Sequence, residues 1–164
     1  MTSAQSRLTY DDFVKIAPDA QAALLALGKA VDDSGFEKDL IELVKVRASQ
    51  INGCAFCLQY HLSVAKKLGV PQEKIDLLAA WRDAGIFSDR ESAALSWAES
   101  VTAISRHGAP DDNAHAALQK YFSESEVVFL TVAVATINAW NRIGVALHFP
   151  PVVQPQRSAK KTGA

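Results

Sequence analysis

The chain is poor in most of the features that would mark out a specialised class of protein. It has two cysteines in 164 residues, too few for a disulfide scaffold. A chain of that length needs no such staples to bury a core. Its formal net charge is −1, so it carries no basic footprint for nucleic acid. Its longest apolar run covers residues 127–135, far short of the ~20 residues a membrane span needs. The N-terminal residues 1–7 contain no apolar core of the kind a secretory signal carries, so the expected setting is the cytoplasm. Alternating β-branched residues are scarce, and proline and glycine fall between periodic segments. This pattern predicts an all-α, single-domain bundle. No internal repeat, low-complexity tract or linker interrupts it.

What the chain does contain is concentrated in one stretch, Ile51-Asn52-Gly53-Cys54-Ala55-Phe56-Cys57-Leu58-Gln59-Tyr60-His61, which holds both cysteines. Asn52-Gly53 reads as a helix stop and tight turn. Residues 54–68 read as a new helix closed by Gly69 and Pro71. Both cysteines then fall in a first helical turn, where unpaired backbone N–H groups and the positive end of the dipole favour a thiolate. A free thiol titrates near ~8.5, and a helix N-terminus or Cys-X-X-Cys setting lowers that value.

Taken in order, residues 1–8 form a loose lead-in, residues 9–150 the domain and residues 151–164 a polar, basic tail with Arg157, Lys160 and Lys161. Thr9 caps a short helix over 10–16. A second helix over 18–31 is expected to bury Ala22, Leu25, Leu27 and Val31. A third covers 36–51, with Leu40, Leu43, Val44 and Ala48 apolar and Glu42 beside that stripe. Further helices are expected over 72–82, from Ser88 to about residue 105, and from Asp111 or Asp112 to about 122. Ser88 with Glu91 and Ser123 with Glu126 have capping-box spacing. The last helix, 126–147, is apolar nearly all round at first and so belongs at the centre or in a subunit interface. Asn138, Asn141 and Arg142 interrupt it, either as polar contacts or as part of the lining of a cysteine cleft.

Cys57 and His61 lie four apart on one helical face, so the imidazole can share a proton with the thiol directly or through a water. Cys54 and Cys57, three apart, are close enough for a disulfide where the first turn allows its geometry. Glu42 sits on the preceding helix. In an antiparallel pair it lies ~16 Å back from the turn and His61 ~12 Å forward, which puts the two nearly level. The inferred order is Glu42, then His61 either directly or across a water, then Cys57, a carboxylate holding an imidazole ready to take a thiol proton. Two alternatives remain open on the residues alone. The cysteines can be small buried apolar residues. They can also be part of a zinc site completed by His61 and Glu42, His107, His115 or His148.

The spacing Glu42, Cys54-Ala-Phe-Cys57, His61 resembles the signature of the alkylhydroperoxidase D-like proteins of the carboxymuconolactone decarboxylase superfamily, most strongly over residues 37–69. The resemblance implies a helical fold and a homo-oligomer, trimeric or hexameric. It also implies a thiol peroxidase needing no metal, flavin or haem. Cys57 would attack a hydroperoxide, Cys54 would donate a proton and resolve the sulfenic acid, and His61 with Glu42 would relay protons. A dihydrolipoyl or thioredoxin-like dithiol would reset the pair. No nucleic acid or membrane partner is implied. Phe56 stands where better-known members carry a second histidine. The alternatives are a decarboxylase, which needs neither sulfur, and a non-enzymatic disulfide sensor.

Overall fold

The structure, a computed structural model, describes residues 7–151; residues 1–6 and 152–164, most of the lead-in and tail, lie outside the described residues. Every regular element among the described residues is helical: α1 Tyr10–Ile16, α2 Pro18–Asp33, α3 Lys38–Asn52, α4 Ala55–Lys67, α5 Gln72–Leu77, α6 Trp81–Ala84, α7 Asp89–Thr102, α8 Ile104–His107, α9 Asp112–Gln119 and α10 Glu124–Leu147.

The helix starts follow their sequence signals. Thr9, Ser88 and Ser123 each accept the backbone N–H of the third helical residue, whose carboxylate in turn accepts the cap's own N–H. Because Ser123 is the cap, α10 starts at Glu124, two residues before the sequence-based estimate. The segment 72–82, expected as one helix, is divided by a 3₁₀ turn at Leu78–Ala80. That turn buries Leu78 completely and sets Trp81 into the same core.

Helices α3 and α10 form the centre. α3 buries Leu40, Ile41, Leu43, Val44, Val46 and Ala48, which face neighbours on both its sides. Each large apolar side chain of this set contributes about 1.5–3 kcal/mol relative to exposure. One side packs on α7, α9 and α10 through Phe36, Ala94, Leu118 and Leu130, and the other on α4 and α5 through Ala65, Ile75 and Leu78. α10 is long and apolar enough by composition to cross a membrane. Here it runs against α2, α3, α4 and α7, with Asn138 and Asn141 buried in its second half.

α2 is turned differently from the sequence-based expectation. Val31 is buried, but Ala22, Leu25 and Leu27 are exposed, Leu25 at 51% and Leu27 at 46%. The inward set is Gln21, Leu24, Gly28 and Val31. With leucines at 24, 25 and 27, two phases of the helical wheel are nearly equally apolar, and the pattern alone does not select between them.

The first described residues lie against the end of α10, near the cysteines. Arg7, placed in the loose lead-in by sequence, donates from Nη1 to the Ala146 carbonyl at 2.9 Å. The Leu8 N–H reaches the Leu147 carbonyl at 3.2 Å. These bonds lay α1 across the end of α10.

Candidate active site

The α3–α4 junction creates the site. Gly53 takes a left-handed conformation, φ 66°, which an L side chain adopts only with strain. The following N–H, that of Cys54, closes back on the Ser49 carbonyl at 3.1 Å. This stop ends α3 and makes Cys54 the N-cap of α4, with Cys57 three residues on. The Cys54 sulfur accepts the Cys57 amide N–H at 3.4 Å, and the two sulfurs, both free, stand 2.9 Å apart. Both cysteines are buried, at 2% and 4% exposure.

The pair divides its acidity unevenly. The hydrogen bond from Cys57 holds the Cys54 thiol down at about 7 against its burial, helped by the amides of Cys57 and Phe56 and by the Asn141 side chain. Cys57 is pushed up by the same hydrogen bond, by burial and by the neighbouring charge. One proton is therefore lost easily and the second is shared across the S···S contact. With a pKa of about 7, half the pair carries a thiolate at neutral pH. An ordinary thiol at ~8.5 would be about 3% ionised there.

His61 lies one turn beyond Cys57 on α4. Its Nδ1 is 2.7 Å from Oε2 of Glu42, a direct contact with no water between. Glu42 is itself buried, and Lys45 donates to its other oxygen at 2.8 Å. Burial works against the ionised carboxylate, but His61 and Lys45 together outweigh it and keep its pKa below the ordinary value. An ionised carboxylate accepts only, so Nδ1 of His61 carries a proton, and in the neutral ring Nε2 is the acceptor. The antiparallel register estimated from sequence puts Glu42 level with His61, and of the two contacts it allows, direct or through a water, the structure has the direct one. Lys45, one turn from Glu42, was not singled out in the sequence, although its spacing would have allowed it.

Three further groups were hidden from sequence reasoning. The first is a cage of rings drawn from α1, α4, α10 and the segment just after it: Tyr10, Phe13, Phe56, Trp140 and Phe149, with neighbouring centroids 5.5–6.2 Å apart. The second is Gly144 of α10. A Cβ there would lie 3.1 Å from the Cys54 sulfur and 3.7 Å from that of Cys57, so both sulfurs rest against bare backbone. The third is an amide group behind the pair, the buried Asn138 and Asn141 joined by the half-buried Asn52. Asn138, Asn141 and Arg142 were visible in the sequence as an interruption of α10, but their partner Asn52 on α3 was not. Among the described residues no three His, Cys, Asp or Glu side chains converge in a way that would hold a metal ion.

The chain matches the carboxymuconolactone decarboxylase family over residues 18–100, a span that holds Glu42, both cysteines and His61. The chain belongs to the carboxymuconolactone decarboxylase family. Within that family it is 35% identical to the uncharacterised protein YdfG of Bacillus subtilis (strain 168) over 82% of this chain and 91% of the other. The crystal structure of ATU0492 from Agrobacterium tumefaciens, a protein of unknown function named for AhpD-type antioxidant defence, superimposes with a TM-score of 0.85. That match has 39% identity and covers 92% of this chain and all of the other. The family member is therefore AhpD-like in fold. The debrominase Bmp8 shares that fold at a TM-score of 0.75 and 21% identity, over 84% of this chain and 74% of the other. The fold thus accompanies more than one named chemistry, and the reaction must be argued from the site.

Proposed function

We propose that the protein is a cytoplasmic thiol peroxidase that reduces organic hydroperoxides at the Cys54–Cys57 pair. The observation that carries this reading is the pair itself: two free sulfurs 2.9 Å apart at a helix start, with a Glu42–His61 contact of 2.7 Å one turn on. The pair gives one proton to Nε2 of His61 and retains the other. With that retained proton on Cys54, the Cys57 thiolate attacks the terminal peroxide oxygen and the O–O bond breaks. Cys57 becomes a sulfenic acid, and the leaving alkoxide takes the Cys54 proton to give an alcohol. The Cys54 thiolate then attacks the Cys57 sulfur. The departing hydroxide takes the proton held on His61, leaving water and a Cys54–Cys57 disulfide. Two electrons have passed from the sulfurs to the peroxide. An external dithiol, dihydrolipoyl or thioredoxin-like, returns them by exchange.

The ring cage beside the sulfurs supports an apolar, organic hydroperoxide over hydrogen peroxide, since the surface it offers an incoming substrate is apolar. The exposed Ala22, Leu25 and Leu27 of α2 support self-association through that helix. The burial of both sulfurs favours a second reading, a disulfide sensor that oxidises once and turns over slowly.

The test is steady-state consumption of cumene hydroperoxide with dithiothreitol as reductant. Sustained turnover by the wild type that is lost in both Cys57→Ser and Cys54→Ser supports the peroxidase. Stoichiometric oxidation without turnover supports the sensor. Unchanged turnover in Cys57→Ser overturns both.

A further inference from the structure

Behind the sulfurs lies a chain of side-chain amides whose orientations are fixed one by one. It begins at Arg142, whose guanidinium has donors and no acceptor. Its Nη1 donates to Oδ1 of Asn138 at 2.9 Å and to the Asn138 carbonyl at 3.0 Å. The other end of the Asn138 amide donates to the Val134 carbonyl at 2.9 Å and to Thr102 Oγ1 at 3.0 Å. A group that can only donate and one that can only accept therefore pin Asn138 from opposite sides. Asn52 must then present Nδ2 to Asn138, and the same nitrogen donates to Oδ1 of Asn141, both at 2.9 Å. This turns the Asn141 Nδ2 away from Asn52. One of its hydrogens goes to Ser49 Oγ at 3.1 Å, and Ser49 uses its own hydrogen on the Lys45 carbonyl at 2.8 Å. The remaining N–H lies on the cysteine side: the Cys54 N–H is 3.1 Å from the carbonyl of that same Ser49, and Gly144, one turn along α10 from Asn141, rests against both sulfurs. The Asn141 side chain acts to lower the pKa of both cysteines.

We infer that Asn141 is a positioning residue for the reactive thiolate, its amide N–H aimed at the Cys54–Cys57 pair by a relay that runs from Arg142 through Asn138 and Asn52. Asn141 and Ser49 are fully buried and Asn138 is 7% exposed, so an unmade bond at any of these three has no water to replace it. A donor that must find a partner finds a better one in a thiolate than in a thiol. A flipped Asn141 would offer its carbonyl instead and oppose ionisation, so the orientation sets the sign of the effect. The charged groups on the surrounding helices are otherwise occupied. Glu42 and Lys45 of α3 pair at 2.8 Å, His61 of α4 faces Glu42, Arg142 of α10 faces Asn138, and α1 turns its rings to the site while Asp12 caps its own helix.

This inference deepens the peroxidase reading but is tested without peroxide. The reduced full-length protein is alkylated with iodoacetamide across the pH range, with thiolate absorbance followed in parallel and circular dichroism confirming the fold. The wild type is expected to inflect near about 7. Removing one hydrogen bond to a charged group, by Asn141→Leu, is expected to move the inflection up by about one to two pH units. Alkylation at neutral pH then slows by up to about tenfold or more. Arg142→Met, whose change lies at the far, solvent-facing end of the relay and spares the core if Asn141→Leu fails to fold, is expected to shift it in the same direction by less. Arg142→Lys, which restores a donor, is expected to bring it back. An ordinary inflection near ~8.5 in the wild type, or an unmoved inflection in folded Arg142→Met, overturns the inference. A wild type that inflects low and shifts as stated, yet consumes no peroxide, sinks the peroxidase reading and leaves this one standing.

Discussion

Replacing Glu42 with glutamine keeps the shape of the side chain and removes its charge. The amide oxygen can still accept from Lys45, at present 2.8 Å from Oε1. The amide nitrogen then faces Nδ1 of His61, at present 2.7 Å from Oε2. Two donors cannot share that contact, so Nδ1 must become the acceptor and the ring proton moves to Nε2. The nitrogen that faces away from Glu42 changes from acceptor to donor, and the imidazole can no longer take a thiol proton there. The charge-assisted bond to His61, of about 1.5–3 kcal/mol, is exchanged for a neutral one, and the bond from the Lys45 ammonium keeps its charged donor but loses its charged acceptor. The penalty for burying the carboxylate disappears at the same time. The net loss of stability is about 1–2 kcal/mol, or about 2–8 °C in Tm for a domain of this size. Loss of a positioned base lowers kcat/KM for hydroperoxide by about a hundredfold or more. The alkylation inflection should stay near about 7, because Glu42 is not among the groups that set the acidity of Cys54. The folded pKa of Glu42 is lowered from 4.5, so its stabilising contribution is full above that value and is lost as the pH falls through the folded pKa. The stability gap between wild type and Glu42→Gln should therefore close in acid. Thermal melts across pH and dithiothreitol-coupled peroxide consumption measure both effects. Turnover within a factor of about two of wild type, far inside the range for a general base, would refute the proton relay.

Gly144→Ala should lower both stability and thiol reactivity. Alanine favours the helix by about 1 kcal/mol, but its Cβ would stand 3.1 Å from a Cys54 sulfur already held 2.9 Å from Cys57. Overpacking of that kind costs about 1–3 kcal/mol, so a raised Tm with unaltered alkylation would contradict the packing argument. Phe56→His should shift preference from cumene hydroperoxide towards hydrogen peroxide, since Phe56 stacks on Tyr10 at 5.6 Å and meets Phe149 at 5.5 Å. Equal preferences in the two proteins would dispose of the apolar-approach idea.

The parts of the site that the sequence revealed are those set by local rules. Asn52-Gly53 stops a helix, so Cys54 must start the next one, and four-residue spacing puts His61 above Cys57. Glu42 was reachable because helices of known rise, joined by a tight turn, pack in antiparallel register. Capping boxes at Ser88 and Ser123 were equally local. What escaped depends on packing between distant segments. Asn52 meets Asn138 and Asn141 across 86 and 89 residues. No periodicity in either helix names the partner. The ring cage joins Tyr10 to Phe149, and its members read singly as ordinary aromatics. The orientation of α2 failed for a related reason. Its leucines satisfy two helical phases, and contact with α10 selects the one that turns Leu24 rather than Leu25 and Leu27 inward.

The most direct test of the thiol chemistry is mass analysis of the reduced protein after one equivalent of cumene hydroperoxide. The expected result is loss of a pair of hydrogens, mapped to a Cys54–Cys57 link, in the wild type and a single added oxygen on Cys57 in Cys54→Ser. Unmodified sulfurs in both proteins, with the hydroperoxide still present, would contradict it.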